Sequence, residues 1–146
     1  MGMTGDMANI EIETDRWPLF VFRPLALPTD EEVDGYLRAL DGNLARCERE
    51  QQKTVILIDA THSLGANAQQ RRRQADWQLR NAEGCERWVA GYAFAIPSGM
   101  VRGMLTAILW LAPLRGGGHV VLPSVEEARA WCDERLGQAN GSALAR

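Results

Sequence analysis

A chain of 146 residues is long enough for one domain with its own core and short for two. Its hydrophobic fraction of 46% and charged fraction of 24% are those of an ordinary globular protein, and its net charge of -3 speaks against a general nucleic-acid binder. The three cysteines, Cys47, Cys85 and Cys132, are too far apart for a zinc site and odd in number for a disulfide framework, so they are expected as buried free thiols of a reducing cytoplasm.

The opening MGMTGDMANIEIE has no basic stretch and no apolar stretch of signal-peptide type, and residues 1–7 are expected to be disordered. ANIEIE (8–13) alternates weakly and PLFVFR (18–23) is a denser apolar run, with the turn signal TDRWP between them; together they predict an antiparallel hairpin. Thr29 and Glu32 have the spacing of a capping box. Behind them Val33, Tyr36, Leu37, Leu40, Leu44 and Cys47 recur at three- and four-residue steps, which predicts an amphipathic helix on a sheet. Val55 to Ile58 is continuously apolar, as a central strand covered on both faces is.

That strand ends in Asp59 and a turn, Thr61-His62-Ser63-Leu64-Gly65, before a basic helix over about 68–82. WVAGYAFAI (88–96) predicts the next buried strand, stopped by Pro97. A helix then runs from Ser98 to Leu111, HVVL (119–122) is a brief strand, and Ser124 with Glu127 caps a final helix. Residues 138–146, GQANGSALAR less its first glycine, are expected to be a flexible tail. The order is β-β-α-β-α-β-α-β-α, a single α/β domain over 8–137 with a mixed, mostly parallel sheet packed with helices. SGMVRGMLTAILWLAP, the most apolar segment, is interrupted by Arg102 and too short to span a bilayer, so no stable membrane insertion is expected and the protein reads as cytoplasmic.

This order, the strand VILIDA closing in Asp59, the strand GYAFAIPS leading into an apolar helix, and the terminal LPSVEEARAWCDERL resemble the STAS fold of bacterial anti-sigma-factor antagonists, and more closely its SpoIIAA-like branch. The resemblance implies a non-catalytic regulatory module that binds a protein partner, such as a kinase-like anti-sigma factor, or a second copy of itself. Regulated antagonists carry a phosphorylated serine in an Asp-Ser-x-Gly-like turn at the start of the second helix. Ser63 is the serine of the corresponding turn here, with Thr61 a second candidate phosphoacceptor; the turn is shorter, and no aspartate immediately precedes the serine. A phosphate there would sit near a helix N-terminus and Arg71, Arg72 and Arg73, whereas the bare hydroxyl would act as a helix cap.

A hydrolytic reading, with Ser63 as nucleophile, His62 as base and Asp59 as orienter, fails on spacing, because neighbours in one tight turn do not face each other in relay geometry. Gly116-Gly117-Gly118 precedes a strand instead of a helix and is no phosphate loop. No catalytic residue, metal site or cofactor is therefore expected. On the basic helix, Ala68, Ala75, Leu79 and Ala82 share a narrow apolar face, which puts Trp77 with Arg73 and Arg80 on the outside as an interface anchor. The expected partner surface is then Asp59, His62, Gly65, Arg73, Trp77 and Arg80. The helix over 98–111 has more apolar surface than one sheet face needs. Met100, Arg102, Met104, Thr106 and Trp110 are expected to form a dimer surface or the wall of a pocket for a lipid or other apolar small molecule.

Overall fold

The computed structural model describes residues 8–97, 99, 102, 103, 106 and 114–144. Two strands, β1 (Ile10–Glu13) and β2 (Leu19–Pro24), are followed by helix α1 (Asp30–Glu50), strand β3 (Thr54–Asp59), helices α2 (Ala68–Arg80) and α3 (Ala82–Trp88), strands β4 (Val89–Ala95) and β5 (His119–Leu122), and helix α4 (Val125–Leu144). The five strands form one sheet in the order β1-β2-β3-β4-β5. β1 and β2 are the expected antiparallel hairpin, and the β2–β3, β3–β4 and β4–β5 pairs are parallel. The sheet is thus mixed and mostly parallel, with β3 at its centre.

Because strand side chains alternate, each strand splits its residues between two cores. Phe20, Phe22, Ile56, Tyr92 and Phe94 face α1, α2 and α3, joined by Val33, Tyr36, Leu40, Trp77 and Cys85. Leu19, Val21, Val55, Leu57, Ala93 and Ala95 face α4, where Ala128 and Cys132 meet them. The first core is aromatic: Phe22 and Tyr36 stack with ring centroids 3.6 Å apart. The second is built from small residues, and Gly91 is where α4 comes closest; a Cβ there would stand 2.6 Å from the Trp131 indole.

Local chemistry sets the element ends. Thr29 and Glu32 form the expected reciprocal capping box of α1, and Glu32 also accepts from the backbone and side chain of Asn9, tying the hairpin to the helix. The Trp17-Pro18 peptide in the hairpin turn is cis. Trp17 Nε1 donates to the buried Asn43, which donates to Thr54, which in turn donates to the Pro18 carbonyl. Two of the three glycines before β5, Gly116 and Gly117, have a packing role. The Gly117 N–H donates to the Val89 carbonyl, a Gly117 Cβ would fall on the Ala90 carbonyl, and Gly116 has a φ of 125°.

Two boundaries differ from the sequence reading. Residues 82–88 form a separate short helix, so β4 begins at Val89. The last helix continues to Leu144 in place of a flexible tail from 138. Asn140 explains part of this, since its side chain accepts from the Lys53 N–H and donates to the Lys53 carbonyl.

Candidate functional site

The turn after β3 is built around Asp59. The side chain of this residue is only 8% exposed. Its Oδ1 accepts from the Thr61 N–H at 3.1 Å and the Thr61 hydroxyl at 2.6 Å, and its Oδ2 accepts from Arg23 Nε at 3.0 Å. Burial pushes the carboxyl up, but the Thr61 and Arg23 hydrogen bonds outweigh it and hold Asp59 below the usual carboxylate range. Arg23 also reaches Glu11 and Glu13 from β1, and Arg129 of α4 reaches Glu13 from the other layer. Asp59 is therefore an internal anchor for β1, β2 and the turn, its two carboxylate oxygens taken up by Thr61 and Arg23. The Asp59–His62–Ser63 relay is not assembled, because Asp59 is occupied by Thr61 and Arg23.

Ser63 is half-buried; its N–H donates to the Ala60 carbonyl, and its hydroxyl accepts from the Gly65 N–H at 3.0 Å. Gly65 has a φ of 99°, which is why a glycine stands there. The helix cap lies further on. Asn67 and Gln70 form a reciprocal capping box, so neither Ser63 nor Thr61 caps α2, contrary to the sequence reading. Thr61, His62 and Leu64 are exposed, whereas Ser63, Gly65 and Ala66 point toward the interior.

The inward face of α2 is not the one that the apolar residues suggested. Trp77 is 2% exposed and Leu79 is 60% exposed. The Trp77 indole N–H donates to Asp41 of α1 at 2.8 Å, Arg73 pairs with Asp34 at 2.9 Å, and Gln70 donates to Asp30 and the Pro28 carbonyl. These contacts make Gln70, Arg73 and Trp77 the seam between α1 and α2. The exposed-anchor reading of Trp77 is therefore overturned, and Arg73 serves the same seam. Arg80 and His62 are at the surface. The misreading has a clear physical cause: the inward side of α2 mixes buried Gln70, Ala75 and Trp77 with half-buried Arg71, Gln74 and Gln78. A hydrophobicity pattern weighs such a face as outside. The Gln-x-x-x-Gln-x-x-x-Gln spacing was the signal available in the sequence.

What these polar residues face is a cavity of about 130 Å³. The sheet supplies Phe22, Ile56, Ile58, Tyr92, Phe94 and Ile96; α1 supplies Val33, Tyr36 and Leu40. Ser63, Gly65 and Ala66 of the turn form one side, Leu114 another, and Arg71, Gln74 and Gln78 line the α2 side of a cavity that is about half open. Gln78 Oε1 is buried and has no hydrogen-bond partner among the described residues. An amide oxygen left so costs about 1–3 kcal/mol. Arg71 donates to the Ala66 carbonyl at 2.8 Å, and it pairs with no carboxylate among the described residues. Apolar walls with a few polar groups brought to one side are the ordinary build of a small-molecule site.

This cavity lies between the sheet and α1–α2, and Ile96 and Leu114, which flank the segment the sequence suggested, are among its lining residues. Met100, Met104 and Trp110 lie outside the described residues. Arg102 and Thr106 are exposed, with Arg102 Nε on the Ile96 carbonyl and the Thr106 hydroxyl on the Arg102 carbonyl. Among the described residues there is no cluster of side chains that could hold a metal ion, and no helix is long and apolar enough to cross a membrane.

The fold is SpoIIAA-like, a mixed five-stranded sheet with helices on both faces. A particular solved structure that shares it is that of an uncharacterised DUF3478-family protein from Shewanella loihica PV-4, described as having a SpoIIAA-like fold. The two are 17% identical and superpose with a TM-score of 0.59 over 84% of this chain and 91% of that one. No protein-family model matches the chain, and no curated protein does.

Proposed function

We propose that this protein is a non-catalytic cytoplasmic module that binds a small, largely apolar molecule in the cavity between the sheet, α1 and α2. The observation that carries the reading is the inward-turned polar face of α2. A helix that only completed a core would put apolar residues there, but this one directs Arg71, Gln74 and Gln78 at an apolar chamber. A dry apolar space of roughly 150 Å³ takes up a benzene-sized molecule, so the half-open cavity here suits a single ring with short substituents.

The turn gives this reading a link to regulation. Ser63, Gly65 and Ala66 line the cavity, while Thr61, His62 and Leu64 of the same turn are exposed, Leu64 at 61%. A partner protein that docks on the outer side of the turn would sense what fills the inner side. The regulatory partner suggested by the fold belongs at this surface, and so does phosphorylation of Thr61, the more exposed of the two hydroxyls.

The test is binding of 4-ethylphenol, a single-ring probe, by calorimetry to the wild-type chain and to Ala66→Phe, which places a ring at the cavity lip. The proposal expects saturable one-to-one binding by wild type and none by a folded Ala66→Phe. Absence of binding to wild type, or equal binding to both, would refute it.

A further inference from the structure

We infer that the ligand is an aromatic carboxylate with a hydroxyl or N–H donor at the end opposite its acid group. The inference rests on the cavity reading above and specifies its chemistry. Among the described residues that line the cavity, Arg71 is the one that carries charge. Arginine presents five N–H donors, and the described partner of Arg71 is a single carbonyl, that of Ala66. The guanidinium thus keeps donors for a further acceptor, and a carboxylate matches it in charge and in its planar fork.

Gln78 sets the other end. Its buried Oε1 has no donor among the described residues, and a ligand group that donates would satisfy it. Residues 71, 74 and 78 share one face of α2, and seven residues of helix separate the first from the last by roughly 10 Å. An acceptor end at Arg71 and a donor end at Gln78 therefore lie about one substituted ring apart. The walls between them fit that ring: Phe22, Tyr36, Ile56, Ile58 and Phe94 are apolar or aromatic.

Three ligands and two variants test this. 3-(4-Hydroxyphenyl)propionate carries both ends, 3-phenylpropionate lacks the donor, and 4-ethylphenol lacks the acid. Calorimetry on wild type should rank the first about tenfold or more above each of the others, the size of one charge-assisted or one buried hydrogen bond. Arg71→Gln should remove the advantage over 4-ethylphenol, and Gln78→Met the advantage over 3-phenylpropionate, with native circular dichroism in both and the melting of Gln78→Met no lower than wild type. If all three bind wild type equally, the assignment of the ends is wrong and the cavity reading stands. If 4-ethylphenol and both acids fail to bind, the cavity reading itself falls. An advantage of the acid that survives Arg71→Gln in a folded variant also overturns the inference.

Discussion

Trp77→Ala separates the structure from the amphipathic reading of α2 more sharply than any other change. If Trp77 were an exposed anchor, truncating it would leave stability within about 0.5 kcal/mol of wild type. The structure instead buries the ring to 2% exposure, packs it with the α1 and sheet residues of the aromatic core, and uses its N–H on Asp41. Removing a buried tryptophan costs roughly 3–5 kcal/mol. The Asp41 carboxylate is exposed and can return to water, so little need be added for it. For a domain of this size each kcal/mol moves the midpoint by roughly 2–4 °C, so Trp77→Ala should melt roughly 6–20 °C lower. Trp77→Phe keeps most of the ring and loses the hydrogen bond, a cost of about 1–2 kcal/mol. Urea unfolding followed by circular dichroism reads all of this. A Trp77→Ala variant as stable as wild type would refute the placement of α2.

Gly117→Ala should be among the most damaging single-methyl additions in the chain, because its Cβ would meet the Ala90 backbone, which cannot swing away; loss of cooperative unfolding or a midpoint well below wild type checks it. Burial pushes both Asp59 and Glu13 up, but the combined contacts outweigh it and hold both below their ordinary pKa, Asp59 by Thr61 and Arg23 and Glu13 by Arg23 and Arg129. Groups lowered in the folded state add stability above their unfolded pKa, and that stability is lost as the pH falls through the folded value. Asp59→Asn should flatten this acid limb in pH-dependent urea midpoints. Burial pushes the Cys47 thiol to about 11 and the Cys132 thiol to about 12, and it raises Cys85 as well. All three should resist a thiol reagent at pH 8 in native protein and react promptly in urea.

Much of the fold was legible because its signals are the strong ones. The α1 capping box with its apolar stripe, the continuous run of β3, and the hairpin of β1 and β2 each have one physical reading, and the structure has them. α3 was hidden because AEGCERW is a single short helical segment next to a tryptophan that also suits a strand. The extension of α4 depends on Asn140 meeting Lys53, a contact 87 residues apart in sequence that no local pattern encodes. The site was less legible for a reason tied to its character. The cavity-facing side of α2 breaks the rule that interiors are apolar, so a pattern that assumes the rule turns Gln74 and Gln78 outward and carries Trp77 with them. Asp59 was singled out as surface, yet its partner Arg23 sits in a strand where an arginine reads as a solvent-facing residue.

The central claim is that a small molecule enters between the sheet, α1 and α2. Methyl-resolved NMR during a titration with 3-(4-hydroxyphenyl)propionate tests it most directly, since the walls carry Val33, Leu40, Ile56, Ile58 and Ile96. The account predicts that these methyl signals shift together and saturate, while those of Val55, Leu57 and Val120 on the α4 side stay in place. Shifts confined to exposed methyls such as Leu27 and Leu79, or no saturable shift at all, would contradict it.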